Sequence, residues 1–152
     1  MFSNDGLKMF VMGNQDSQAA VYQYSLTENF DVSTCSYNDK TVSVESRDNT
    51  PTSLAFSGDG LKMFVLGSEN NKVYQYTLGD NFDITTATFA SNCGLSGEAT
   101  CTVSVATKEN NPRGMTFDPS GKYLFILGSQ GADLNLYKLT ENFDVSTAVF
   151  VS

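Results

Sequence analysis

Three stretches of this chain repeat one another closely enough to fix what it can become. Phe2-Ser-Asn-Asp-Gly-Leu-Lys-Met-Phe-Val-Met-Gly13 aligns without gaps with Phe56-Ser-Gly-Asp-Gly-Leu-Lys-Met-Phe-Val-Leu-Gly67 and with Phe117-Asp-Pro-Ser-Gly-Lys-Tyr-Leu-Phe-Ile-Leu-Gly128. A second block follows each: Val21-Tyr-Gln-Tyr-Ser-Leu26, Val73-Tyr-Gln-Tyr-Thr-Leu78 and Leu134-Asn-Leu-Tyr-Lys-Leu139. A third closes each copy: Asn29-Phe-Asp-Val-Ser-Thr34, Asn81-Phe-Asp-Ile-Thr-Thr86 and Asn142-Phe-Asp-Val-Ser-Thr147. From Phe2 to Phe56 is 54 residues, and from Phe56 to Phe117 is 61. A unit of this length is one supersecondary element that buries its faces against its own copies.

Each copy reads as strands. Pro51 opens a short run to Phe56, a position where a strand tolerates proline. Gly58-Asp59-Gly60, like Asn4-Asp5-Gly6, supplies the left-handed residue of a tight hairpin turn. Lys62-Met-Phe-Val-Leu66 is a continuous apolar strand suited to burial on both faces. The aromatic-rich Val73–Leu78 strand comes next. Asn81-Phe82-Asp83 then predicts a turn in which Asp83 holds nearby backbone and Phe82 plugs the core. Ala87–Phe89 and Thr102–Val105 supply an outer strand, and no segment has a helical period. The expected fold is all-β: four-stranded antiparallel sheets in tandem, as β-propeller blades. One segment spans 1–152, with repeats 1–50, 51–111 and 112–152. The first copy lacks nearly all of its first strand, and known closed rings have four to eight blades. The expectation is an incomplete ring within a longer protein, with two copies pairing into six blades as the alternative.

Pro112-Arg-Gly-Met-Thr-Phe-Asp-Pro-Ser-Gly-Lys-Tyr-Leu-Phe-Ile-Leu127 resembles the opening of YVTN-type and lactonase-like propeller blades. The resemblance runs through the chain three times. It implies the architecture and leaves function open, since such families include surface proteins, binding modules and a few hydrolases. The Asn81–Thr86 block departs from the usual pattern.

Composition narrows the chemistry. Nine Lys and Arg against 17 Asp and Glu give a net charge of −8. A nucleic-acid surface needs clustered positive charge, and Arg47 and Arg113 are the two arginines. No apolar run approaches the roughly 20 residues of a membrane span, and Met1-Phe2-Ser3 does not begin a signal peptide. The chain contains no histidine, which removes Ser-His-Asp and Cys-His catalysis and histidine-ligated metals. Cys93 and Cys101 flank an insertion that accounts for most of the longer second spacing. Two thiolates alone do not complete a tetrahedral zinc site. A disulfide is the favoured expectation over free thiols, and it places the chain outside the cytoplasm, secreted or on a cell surface. Cys35 aligns with Ala87 and Ala148 and is expected to be a small buried residue, not a nucleophile.

Asp31, Asp83 and Asp144 recur in every copy, which marks scaffold, because an active site needs asymmetry. The loops between second and third strands vary in length and sequence and should gather on one face, where binding residues sit on a rigid scaffold. Asp16, Glu69, Asn70 and Asp133 are therefore the candidate ligand-binding residues, and their oxygens suit Ca²⁺ if any cofactor is bound. No catalytic residue is assigned. The expected function is a non-enzymatic binding or structural module for a protein or carbohydrate partner. The alternative is a lactonase-like hydrolase that depends on a divalent cation.

Overall fold

The computed structural model of the chain describes residues 1–15, 18–91, 93, 101–130 and 133–152, those at 14–15 as backbone alone. Twelve described strands form three antiparallel sheets. The first holds β1 (Lys8–Gln15), β2 (Gln18–Leu26) and β3 (Cys35–Ser43). Phe2 forms an isolated bridge to Met9 of β1. The middle sheet runs β4 (Pro51–Phe56), β5 (Lys62–Gly67), β6 (Lys72–Thr77), with β7 (Thr88–Phe89) and β8 (Thr102–Ser104) both paired to β6. The third runs β9 (Pro112–Phe117), β10 (Tyr123–Gly128), β11 (Leu134–Leu139), β12 (Ala148–Phe150). The all-β expectation of tandem blades that do not close a ring is borne out, and the described helical segments are single 3₁₀ turns.

Alternation along the strands gives each sheet two apolar faces, and sheets stack through them. One core joins Phe10 and Val21 of the first sheet to Phe56, Met63, Tyr76 and Ile84 of the second. Another joins Phe64, Leu66 and Val73 of the second to Leu124, Ile126 and Val145 of the third. The middle sheet is thus covered on both sides, and all of β5 after Lys62 is buried, as its unbroken apolar run requires. Three phenylalanines key each boundary. Phe10 lies 4.5 Å from Phe56 and 6.3 Å from Phe82, and Phe64 repeats this with Phe117 and Phe143 at 4.5 and 6.3 Å.

Polar bridges reinforce both boundaries. The buried Gln23 amide oxygen accepts the Ile84 N–H at 3.1 Å, and Gln75 accepts the Val145 N–H at 3.0 Å. Each glutamine closes the first turn of the neighbouring sheet's 3₁₀ segment, whose N–H would otherwise be buried without a partner. Lys8 Nζ donates to the Asn81 and Phe82 carbonyls, and Lys62 Nζ to the Phe143 carbonyl.

The longer middle repeat has a local cause. In the first sheet β3 carries a register shift opposite Gln23/Tyr24, with Asp39 at φ 56°. At the matching place in the middle sheet the outer strand is interrupted. Tyr76–Phe89 and Thr77–Thr88 pair on one side, Lys72–Ser104, Val73–Val103 and Tyr74–Thr102 on the other. The insertion leaves where the first sheet has its bulge, and the Cys93–Cys101 disulfide, with Cα atoms 5.3 Å apart, fastens its base. Cys35 is half-exposed and free. The expectation of a buried residue fails there, and the aligned Ala87 and Ala148 are likewise only partly buried: this position opens the outer strand of every sheet.

Candidate functional site

Antiparallel order sends the Ser57–Leu61 hairpins and the Asn-Phe-Asp turns to one end of the strands. The loops between second and third strands lie at the other. The loop end holds the sequence-predicted candidates. Glu69 Oε2 accepts the Asn49 N–H at 3.0 Å, and Asn70 Nδ2 donates to the Arg47 carbonyl at 3.1 Å. Both residues staple their loop to the linker entering β4. Asp133 is exposed and accepts from Asn135 Nδ2 at 3.3 Å. Asp16 lies outside the described residues. Glu69 and Asn70 thus sit on one loop and Asp133 on that of the next sheet. Among the described residues no group of three or more His, Cys, Asp or Glu is placed to share a metal ion.

Two carboxylates escaped the sequence reading. Asp48 and Glu109 occupy aligned positions four residues beyond Val44 and Val105, and both are buried. A side chain on Gly67 or Gly128 would run into these carboxyl groups, so the glycines are the room they occupy. Asp48 is fully used: Oδ1 accepts from Thr50 and Glu69 N–H at 2.9 and 3.3 Å, Oδ2 from Asn70 N–H at 3.0 Å. Glu109 Oε1 accepts the Asn111 N–H at 2.6 Å, while Oε2 has no hydrogen-bond partner among the described residues. The aligned acid-to-glycine spacing was the available signal.

The turn end is wired the same way three times. Ser57 Oγ donates to Asp59 Oδ1 at 2.5 Å and accepts the Lys62 N–H at 2.9 Å, while Asp59 Oδ1 also accepts the Leu61 N–H at 3.0 Å. Ser3 and Asp5 repeat this at 2.6, 3.0 and 3.0 Å. In the third sheet the residues trade places: Asp118 Oδ1 takes the Tyr123 N–H at 2.7 Å and Oδ2 the Ser120 hydroxyl at 2.5 Å. The serine hydroxyl and then the Leu61 N–H hold the Asp59 carboxyl below the usual carboxylate range, and Ser3 and Leu7 do the same for Asp5. Above each hairpin a phenylalanine adopts a left-handed backbone (Phe30, Phe82 and Phe143, φ 61°, 54° and 54°), its ring lying on Gly6, Gly60 or Gly121. Asp31, Asp83 and Asp144 cap the following turns, accepting from Ser33, Thr85 and Ser146 N–H. These recurrent aspartates are scaffold.

Where the first two sheets meet at this end, a cavity of about 190 Å³ is lined by Ser3, Asn4, Asp5, Lys8, Asn81 and Phe82. Asn4 Nδ2 crosses the boundary to the Gly58 carbonyl at 2.6 Å. Lys8 spends two of its three protons on the Asn81 and Phe82 carbonyls at 3.1 and 3.0 Å. Hydroxyl, amide, carboxylate and ammonium converge there. A second cavity, about 230 Å³, opens at the outer rim of the middle sheet between Thr77, Thr88, Phe89, Ala90 and Ser91.

No protein-family model matches this sequence, and no curated protein matches it. Solved structures do. A 6-phosphogluconolactonase-like protein of Bacteroides fragilis superposes with a TM-score of 0.63 at 14% identity, over 99% of this chain and 36% of its own. A second, from Bacteroides uniformis, gives 0.60 at 14% identity over 98% of this chain and 40% of its own. A protein of unknown function from Desulfotomaculum acetoxidans gives 0.62 at 15% identity over 100% and 40%. The chain shares its fold with these structures, and it spans well under half of their length. The first two bear on the lactonase-like side of the resemblance drawn from the sequence and are silent on the YVTN-type side.

Proposed function

We propose that this chain is a non-enzymatic binding segment of a lactonase-like β-propeller protein that acts outside the cytoplasm, and that it takes a hydroxyl-rich ligand such as a glycan. The observation that carries this reading is the boundary cavity. The Asp5 carboxylate, the amide oxygens of Asn4 and Asn81 and the one remaining proton of Lys8 offer acceptors and a donor within one small concavity, on a scaffold made rigid by the capped turns beneath it. The Cys93–Cys101 disulfide supports the oxidising compartment. The test is an amide-shift titration of the chain with a panel of neutral and acidic oligosaccharides. Shifts confined to Ser3–Lys8 and Asn81–Phe82, abolished by Lys8→Gln, support the reading. No shift at the highest soluble glycan concentration, or shifts scattered elsewhere, would sink it.

The likeness to 6-phosphogluconolactonase-like structures favours a second reading, a hydrolase segment using carboxylates around a divalent cation. It predicts hydrolysis of a sugar lactone that a chelator stops. Binding without turnover, unchanged by chelator, decides for the first.

A further inference from the structure

The polar side chains around the boundary cavity are mostly spent as donors and open as acceptors. Asn4 Nδ2 donates across the sheet boundary to the Gly58 carbonyl at 2.6 Å. A carbonyl only accepts, so this bond fixes the amide and leaves Asn4 Oδ1 as its unspent atom. Asn81 is fixed in the same sense, its amide nitrogen donating to the Asp59 carbonyl. On Asp5 the Ser3 hydroxyl and the Leu7 N–H both go to Oδ1, at 2.6 and 3.0 Å, and Oδ2 takes no hydrogen bond among the described residues. The same two bonds hold the Asp5 carboxyl below the usual carboxylate range.

Donors are nearly exhausted. Lys8 has given two protons to the Asn81 and Phe82 carbonyls and keeps one. The buried Ser3 hydroxyl gives its proton to Asp5. Open oxygens on Asn4, Asp5 and Asn81 thus share the cavity with a single remaining donor. Asn4 is also what distinguishes this boundary, since the aligned residues of the other two copies, Gly58 and Pro119, carry no side-chain acceptor.

We propose that this cavity selects sugars by the protons they donate, taking amino and neutral sugars and turning away acidic ones, with Asn4 setting the preference. The inference rests on the glycan-binding function proposed for the same cavity and adds the chemical class of the ligand. A sugar hydroxyl donates one proton and a protonated amine three, so both can fill the open oxygens, and the amine also meets the Asp5 charge. A carboxylate brings more acceptors to oxygens that have no proton to share, and a second negative charge beside Asp5. The last Lys8 proton satisfies one carboxylate oxygen and leaves the other unpaired.

Amide-shift titrations with three oligosaccharides on one linear β-glucan backbone test this, the first bearing free amines, the second hydroxyls alone, the third carboxylates. They are run at about pH 5.5, where the sugar amine is protonated and aspartates are ionised. Salt at about 0.15 M screens charges beyond about 8 Å, so the chain's net charge of −8 does not set the order. The expected order of affinity is amine, neutral, acid, with about tenfold or more between first and last. Asn4→Gly, the residue that the second copy carries at this position, should weaken the amino sugar by about fivefold. Asn4→Lys replaces an acceptor by a cationic donor and should bring the acidic sugar above the neutral one. Circular dichroism verifies that both variants fold. Acidic sugar bound as tightly as the amine, or an order that Asn4→Lys leaves unchanged, overturns the proposal while shifts at the cavity keep glycan binding standing. Shifts with none of the three sugars overturn both together.

Discussion

A phenylalanine with positive φ is costly, because its Cβ crowds the neighbouring carbonyl. This chain accepts the cost three times, in Phe30, Phe82 and Phe143, and each ring is laid over a glycine that is itself left-handed. Gly60→Ala should destabilise by about 3 kcal/mol, from the left-handed alanine and from the ring it displaces; a urea melt showing under half that would contradict the stacking argument. The glycines were legible in the sequence as turn residues. The phenylalanine conformation was not, since local preference argues against it and the ring-on-glycine contact joins residues 22 or 24 apart. Acid also acts at this scale. The folded Asp59 carboxyl titrates below its unfolded value, so it contributes stability above about pH 4, and this is lost as pH falls through the depressed folded value. Asp59→Asn should therefore flatten the stability profile below about pH 4, measured by denaturant midpoints.

The outer strand of the middle sheet shows how an element absorbs an insertion. A bulge is already a place where pairing lapses, so extra residues leave the sheet there without breaking the pairs on either side. Gln75 ties this point to the next sheet: Nε2 lies 3.6 Å from Cys93 Sγ while Oε1 accepts the Val145 N–H. Reduction of the disulfide should cost about 2.5 kcal/mol by loop entropy, seen as a lower melting temperature in reductant. It should also shift the Val145 amide resonance in the neighbouring sheet; a shift confined to the insertion would show the two to be independent. The cysteine spacing made the staple readable from sequence. Its attachment opposite Gln75 needed the register. The loop candidates Glu69 and Asn70 were read as free to bind because their polarity is visible in the sequence. Asp48, the partner that occupies their backbone, is visible only in three dimensions.

At the scale of the whole molecule, three stacked sheets make a short one-dimensional array in which each unit is stabilised by its neighbours. Among the described residues, the middle one alone has both faces covered. Hydrogen exchange should therefore leave β5 and β6 amides protected longest and β1–β3 amides least, an order that equal protection in all three sheets would refute. Phe64→Ala removes the leading ring of the second trio and should cost about 3–5 kcal/mol, with second and third sheets loosening together in the same exchange experiment. The repeat made this architecture legible at once, because alternation and turn residues agree in every copy. The boundary cavity was not legible, since its lining comes from Ser3–Lys8 in one copy and Asn81–Phe82 in the next.

The exchange of serine and aspartate between positions 57/59 and 118/120 has an evolutionary reading. Both orders satisfy the same strand-opening N–H and the same hydroxyl–carboxylate contact, so a lineage passing from one to the other must cross an intermediate with two carboxylates or two hydroxyls. Sign epistasis is the expected outcome: Ser57→Asp and Asp59→Ser should each lower the melting temperature alone, and the double exchange should restore that of the parent chain. Drift at either site is thereby conditional on the other, and the pair is inherited as one character.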